Sequence, residues 1–319
     1  MYDVHQNISI DRVDLHDLTY RITSSHDLDR LSGSMAAVGI INPPVLLESS
    51  ENYRVVCGFG RIRAAARLSW TEIPARILSR HTASHTCIQM AIADNTANRE
   101  LDVVEKARAL KLLVADIPEK NRLAQACAML GLSLNPELIE KLLLVNSMAP
   151  YLREGLVNGA IALPVALRLH QGDDQDSAQI IGQLLNVLNT SLNRQREIVD
   201  WFEAIQMREG TAILGIYKDL GIEPVLNDVE LDRRQKIDFI RVALKKRRYP
   251  TIVAVEDRFK RLVDQLKLPA GCQLNPPPNF EGDVYTLKLD FRTIPDLIKL
   301  LEKMEELTNN RLLIEILAS

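Results

Sequence analysis

The stretch Tyr53 to Ile77, YRVVCGFGRIRAAARLSWTEIPARI, decides how the first part of this chain folds. Tyr53 to Cys57 is short, apolar and rich in β-branched residues, Gly58 and Gly60 interrupt it, and helix-favouring residues resume from Arg61 to Leu68. The pattern predicts a strand, a glycine turn and a helix start. A helix N-terminus offers unpaired backbone N–H groups and the positive end of a dipole, and glycines beside it let a ligand approach the backbone closely. An anion, most often a phosphate, fits such a corner. Arg61 and Arg63 fall in the first turn, where the dipole disfavours cations unless something negative is near, and guanidinium groups suit phosphate oxygens. The other reading is a tight strand-to-helix corner with solvated arginines. Short glycine motifs match often by chance, so the surroundings have to discriminate.

On the C-terminal side, Glu72 to Leu78 reads as a returning strand. On the N-terminal side, Val45 to Glu48 reads as a strand entered through Asn42-Pro43-Pro44, which forces an extended backbone. Leu28, Leu31, Met35 and Val38 space an amphipathic helix over Asp27 to Gly39, with Gly39 placed as a C-cap. Asn7 to Leu15 alternates loosely and reads as an opening strand. Residues 1 to about 80 therefore form an α+β unit. Beyond it, Ser84 to Asp94 and Glu100 to Leu113 read as helices, joined by the polar junction Asp94, Asn95, Asn98 and Arg99. These residues either cap and solvate a turn or add an amide and a third guanidinium to the anion site. His81, His85 and Cys87 lack a fourth ligand at useful spacing and read as a solvated helix start.

Length and composition bound the rest. At 319 residues, two or three domains are expected. With 46% hydrophobic and only 5% aromatic residues, the cores are expected to be helical and Leu/Ala/Ile-rich. The net charge of −3 gives no global attraction to nucleic acid, so any DNA contact needs a local patch. Cys57, Cys87, Cys127 and Cys272 are far apart, which argues against a disulfide framework or zinc ribbon and fits a reducing cytosol. The N-terminal stretch has no basic region followed by an apolar core, and no run of about 18 apolar residues occurs. The expectation is a cytoplasmic protein without a signal peptide or membrane span.

Three segments together resemble the N-terminal domain of the ParB family, DNA-partition proteins that bind CTP on a fold shared with sulfiredoxin. DLDRLSGSMAAVGIINPPV, ending at Val45, looks like the family's first motif, a helix closed by glycine and followed by a proline-containing strand. GFGRIRAAARL is similar to the GERRxRA phosphate motif, and DNTANRELDVVEKA to ENxxRxxL with its following glutamate, here Glu105. The resemblance implies that Gly58, Gly60, Arg61 and Arg63 meet a triphosphate and that Asn95 and Arg99 approach the phosphates or magnesium. It departs at Phe59, where the family has glutamate, and at Gly60, where it has its first arginine. Arg99 also stands four residues after Asn95 instead of three. Losing a carboxylate and a guanidinium removes groups that position water or stabilise a transferring phosphoryl group, so binding is better supported than hydrolysis.

Further on, RLAQACAMLGLSLNPELIEKLLLV reads as two helices around Gly131-Leu132-Ser133, a helix-turn-helix-like region whose second helix carries Glu137 and Glu140. Carboxylates facing phosphates repel, so a helical scaffold is the competing reading. NSMAPYLREGLVNGAIALPVALRL resembles the stretch that follows the helix-turn-helix in ParB proteins. Ala178 to Leu188 and Asn193 to Arg208 read as helices, with Asn193 as a cap and Trp201 and Phe202 as core. Leu231 to Leu268 carries twelve Lys/Arg against five Asp/Glu, centred on Lys245, Lys246, Arg247 and Arg248. That run is either a solvated face or the chain's DNA-binding stripe. Leu268 to Asp283 reads as a connector, Val284 to Phe291 as a half-buried strand, Ile294 to Leu307 as a helix capped by Thr293, and Arg311 to Leu317 as a last strand. A β-α-β unit so small has a thin core and needs a partner surface, either a second copy or its own chain.

The expected organisation is a ParB/sulfiredoxin-like α+β domain over 1–115, an all-α region over 116–225, a basic helical segment over 226–268 and a small C-terminal unit over 269–319. The resemblance implies a partition protein, of a plasmid or a chromosome, associated with the nucleoid. Its partners would be DNA and a partition ATPase, its cofactor CTP or another nucleotide with Mg2+, and its form a homodimer. The competing class is a phosphotransfer or nucleotide-hydrolysing enzyme of the same fold, and a third is a binding protein in which the corner is a relic. Any triphosphatase activity is expected to be slow, and no catalytic or metal-ligating residue is assigned.

Overall fold

The computed structural model describes residues 4–24, 27–97 and 99–317, so Asn98 lies outside the described residues. The chain divides into two compact units, Met1–Gln195 and Arg196–Ser319.

The first unit opens with β1 (Val4–Ser9), a 3₁₀ turn (Ile10–Arg12) and β2 (Val13–Asp14), where the sequence predicts one strand. Then come α1 (Leu28–Val38), β3 (Val45–Glu48), β4 (Tyr53–Cys57), α2 (Phe59–Arg67) and β5 (Glu72–Leu78). The five strands form one mixed sheet in the order β1-β5-β3-β4-β2. β1 runs antiparallel to β5 and β3 antiparallel to β4, while β3 pairs parallel with β5 and β2 parallel with β4. α1 ends as its glycine predicts: Gly39 takes φ 76° and its N–H donates to the Met35 carbonyl. Phe59, Ile62, Ala64 and Ala65 of α2 and Met35 of α1 bury against Leu46, Val55, Ile73 and Ala75 of the sheet, giving a two-layer core.

α3 (Ser84–Thr96) and α4 (Val103–Asp116) follow. α5 (Lys120–Met129), α6 (Pro136–Val145), α7 (Pro150–Val157), α8 (Leu163–Gln171) and α9 (Gln175–Leu188) complete the helical part of this unit. Asn135 caps α6 through its side chain, Pro136 occupies the first turn, and Ile139, Leu142 and Val145 are buried.

α10 (Leu192–Glu209) crosses from the first unit to the second. It begins one residue before Asn193, with Gln195 N–H bonded to the Ser191 carbonyl, so Asn193 lies inside the helix instead of capping it. Phe202 is fully buried, as its place on the apolar stripe requires, and the Trp201 ring meets Tyr249 edge-on at 6.5 Å. The second unit continues with α11 (Ile213–Asp219), α12 (Ile222–Asn227), α13 (Arg233–Arg248) and α14 (Pro250–Leu266), the last two broken at Tyr249-Pro250 as expected.

The C-terminal unit differs from the predicted β-α-β arrangement. β6 (Cys272–Asn275) lies inside the expected connector and pairs antiparallel with β7 (Thr286–Leu289). α15 (Ile294–Thr308) starts at a Thr293/Asp296 capping box, and Arg311–Leu317, expected as a strand, is helix α16. The apolar residues Leu312, Leu313 and Ile316 recur at helical spacing and pack on Leu262 and Leu266 of α14. A strand there would have turned Leu313 away from Leu312.

Candidate nucleotide site

The glycine corner is built by sterics. Gly58 sits at φ 90°, and a Cβ added there would come within 2.9 Å of the Pro44 side chain, so only glycine closes the turn from β4 into α2. Phe59 then packs into the core at 6% exposure, and Arg61 leaves the first turn of α2 half-buried toward the Asn42-Pro43 turn and Asp94.

A cavity of about 650 Å³ opens over this corner, a volume in the range of small-ligand sites. Its walls come from the loop before α1 (Tyr20, Ile22, Thr23), from α1 itself (Arg30, Met35), from the corner (Gly58, Gly60, Arg61) and from the end of α3 (Asp94, Asn95) with Arg99. Five of the six predicted nucleotide-binding residues therefore share one cavity. Arg63 does not line it: half-buried on the next turn of α2, it lies close enough to Arg21 that, after burial, its charge depresses the Arg21 guanidinium. The helical turn explains the divergence, because residues two apart on a helix leave on different faces.

Arg61, Asn95 and Arg99 are already engaged. Arg61 donates to the Asn42 carbonyl, to the Pro43 carbonyl at 3.4 Å and to an Asp94 carboxylate oxygen at 3.2 Å. The Asn95 amide nitrogen donates to the Ala91 carbonyl at 2.8 Å, and its oxygen accepts from the Thr23 hydroxyl at 2.9 Å. Arg99 forks onto both carboxylate oxygens of Glu105. Burial alone would raise the Glu105 carboxyl, but hydrogen bonds from Arg99, from Ser24 N–H and from Asp102 N–H hold it below the ordinary value. Glu105 also closes the capping box of α4 with Asp102, so one buried carboxylate ties the loop before α1, the end of α3 and the start of α4 together. Cys57, by contrast, is pushed up to about 12 by burial and then by the Asp94 charge, the opposite of what a nucleophilic thiol needs.

Sequence reading missed Tyr20, Thr23 and Arg30. The first two lie in a loop with no periodic signal, while Arg30 could have been found by the argument applied to Arg61, as a cation in the first turn of a helix. His81, His85 and Cys87 form no ligand set, and among the described residues no group of three or more His, Cys, Asp or Glu could hold a metal ion.

The basic run of the second unit is largely engaged within the unit. Lys245 binds both oxygens of Glu256 at 2.8 Å, and Arg247 meets Glu209 at 2.7 Å and Asp219 at 3.2 Å. Arg248 lies over the Tyr249 ring at 4.8 Å, and Lys246 is exposed. In α6, Glu137 pairs with Lys141 one turn on.

Among the described residues, no helix is long and apolar enough to cross a membrane. Residues 3–96 match the family model of the ParB N-terminal domain. A nucleoid occlusion protein of Lysinibacillus sphaericus is 32% identical over 94 residues, 29% of this chain and 31% of that protein. A probable chromosome-partitioning protein ParB of Coxiella burnetii is 30% identical over 120 residues, 34% of this chain and 41% of that protein. The chain thus spans about a third of the length of the curated relatives it matches. Among solved structures, the truncated ParB of Caulobacter crescentus with its centromeric parS site is 19% identical, covering 60% of this chain and 96% of that one at a TM-score of 0.34. The sheet, the glycine corner and the end of α3 all fall within the residues that match the ParB N-terminal domain, so the likeness is shown for that part of the chain.

Proposed function

We propose that the chain is a DNA-binding partition protein switched by a nucleotide in its N-terminal cavity. The observation that carries this reading is the corner itself: a strand, a left-handed Gly58 and a helix N-terminus aim backbone N–H groups into a cavity that also holds Arg61 and Arg99. CTP is the nucleotide to test first, because the ParB resemblance of the corner implies it. The residues present suit Mg2+ as well. This ion keeps several waters and is commonly held by one or two carboxylates together with the ligand's phosphates, and Asp94 stands where it could serve. The ion would neutralise phosphate charge. A phosphate reaching Arg61 has to compete with Asp94, so ligand binding is coupled to the end of α3. A switch of this kind requires the nucleotide to bind one conformation better than the other.

The hydrolase reading is weaker, since Phe59, buried at the border of the cavity, carries no carboxylate to orient water. For DNA, Lys246 and Arg248 are better candidates than Lys245 and Arg247, whose charges are met inside the unit. A homodimer would be formed through α15, where Ile294, Ile298 and Leu301 stay at least half exposed while the opposite side of the C-terminal unit packs on α14. The partition ATPase and the association with the nucleoid follow from the family reading.

The test is calorimetric titration of the full chain with CTP, ATP and ADP in magnesium, with and without a pool of genomic DNA fragments. Saturable heat with one triphosphate, strengthened by DNA, is expected. No binding of any nucleotide at millimolar concentration would leave the cavity a relic and overturn the switch.

A further inference from the structure

Three guanidinium groups line the cavity, and two of them are paired with carboxylates: Arg61 with Asp94 and Arg99 with Glu105. The third, Arg30, is exposed and has no carboxylate partner among the described residues. Its neighbours explain why. The Asp29 carboxylate is engaged by Arg67 of α2, and the Asp27 side chain caps α1 by accepting the backbone N–H of Arg30. Arg30 is also in the first turn of α1, where the helix dipole works against a cation unless an anion is at hand. At the facing corner, Gly60 contributes no side chain.

From this arrangement we infer that Arg30 takes the outer phosphates of a nucleoside polyphosphate in the cavity, reaching them from α1. The inference rests on the nucleotide reading above and adds to it a residue, one through which di- and triphosphates are preferred over monophosphates. The physical reason is economy of displacement. Recruiting Arg61 or Arg99 means breaking or sharing an existing ion pair, whereas Arg30 only has to be ordered from solvent. Each further phosphate brings additional acceptor oxygens toward a free, planar, permanently charged donor, so affinity should climb with phosphate number through this side chain.

The experiment is calorimetric titration of the full-length wild type, Arg30→Ala and Arg30→Lys with CTP, CDP, CMP and cytidine in magnesium. Arg30→Ala should weaken the triphosphate about tenfold or more and the monophosphate much less. Arg30→Lys should recover part of the loss, and all three proteins should melt at the same temperature because the side chain is exposed. Wild-type triphosphate affinity in Arg30→Ala, with the loss seen only in Arg61→Ala, overturns the inference and leaves the nucleotide reading standing. An equal loss across CTP, CDP, CMP and cytidine also overturns it, by placing Arg30 on the base or ribose. Wild type that binds none of the four removes the nucleotide reading, and the inference with it.

Discussion

Arg61, in the first turn of α2, and Asp94, near the end of α3, meet at 3.2 Å across the mouth of the cavity. In the proposed site, the pair sets a carboxylate where a phosphate oxygen would compete. Asp94→Asn should therefore tighten inorganic tripolyphosphate in EDTA by about two- to fivefold, the worth of a partly exposed ion pair. In magnesium the same variant should lose that advantage. Calorimetry in the two buffers checks both signs, and an unchanged affinity in EDTA would show that Asp94 does not compete.

Arg61→Ala should weaken nucleotide binding by roughly tenfold or more. Arg61 also carries two backbone carbonyls of the Asn42-Pro43 turn, so the variant should lose about 1 to 2 kcal/mol of stability as well. Urea denaturation read beside the titration separates the two effects. Full affinity in the folded variant would remove Arg61 from the site.

Glu105 is buried at 2% exposure, and its carboxyl is held below the ordinary 4.5. The unfolded chain therefore takes up its proton more readily than the folded one. The stabilisation is complete above about pH 4.5 and is lost as the pH falls further, toward the depressed folded value. Glu105→Gln should cost about 2 to 3 kcal/mol at pH 7, with Arg99 left unpaired. The gap between variant and wild-type denaturation midpoints should narrow as the pH falls below about 4.5. A gap that stays constant with pH would assign the loss to packing alone.

Phe59→Glu restores the residue that the family places beside the glycine, yet it should not restore hydrolysis. The position faces the core with Ile62 and Val55, and an unpaired carboxylate there should cost about 3 kcal/mol or more. A lowered melting temperature without magnesium-dependent phosphate release is expected. Turnover in a stable variant would show that a carboxylate at this position, on the border of the cavity, can orient water.

For DNA, the ion pairs of α13 change what the basic run can deliver. Each phosphate contact contributes about −0.9 to the log-log salt slope on duplex DNA. Lys246→Ala with Arg248→Ala should flatten that slope by about two. Lys245→Ala with Arg247→Ala should leave the slope unchanged and instead lower stability, because Glu256 and Asp219 lose these partners and Glu209 keeps only Arg208. Fluorescence anisotropy at several salt concentrations, with circular dichroism on each variant, decides. A loss confined to variants in 136–145 would move the contact to α6.

Local sequence determined most elements of the first unit, because their signals are short-range. The β-branched run Tyr53 to Cys57, the left-handed Gly58, the glycine end of α1 and the proline entry to β3 each act within a few residues. Of the six residues that the motifs singled out, five line the cavity. Only tertiary structure decided what those residues touch. Arg63 leaves on a different face of α2 from Arg61, Arg30 arrives from α1, and the partners of Arg61, Arg99, Lys245 and Arg247 are 33, 6, 11 and as many as 38 positions away. The same limit explains the C-terminal error. Arg311 to Leu317 is apolar enough for strand or helix by local pattern, and it is the α14 face carrying Leu262 and Leu266, distant in sequence, that favours the helical spacing of Leu312, Leu313 and Ile316. Backbone preference is set by neighbours along the chain, whereas side-chain pairing depends on which surfaces the fold brings together.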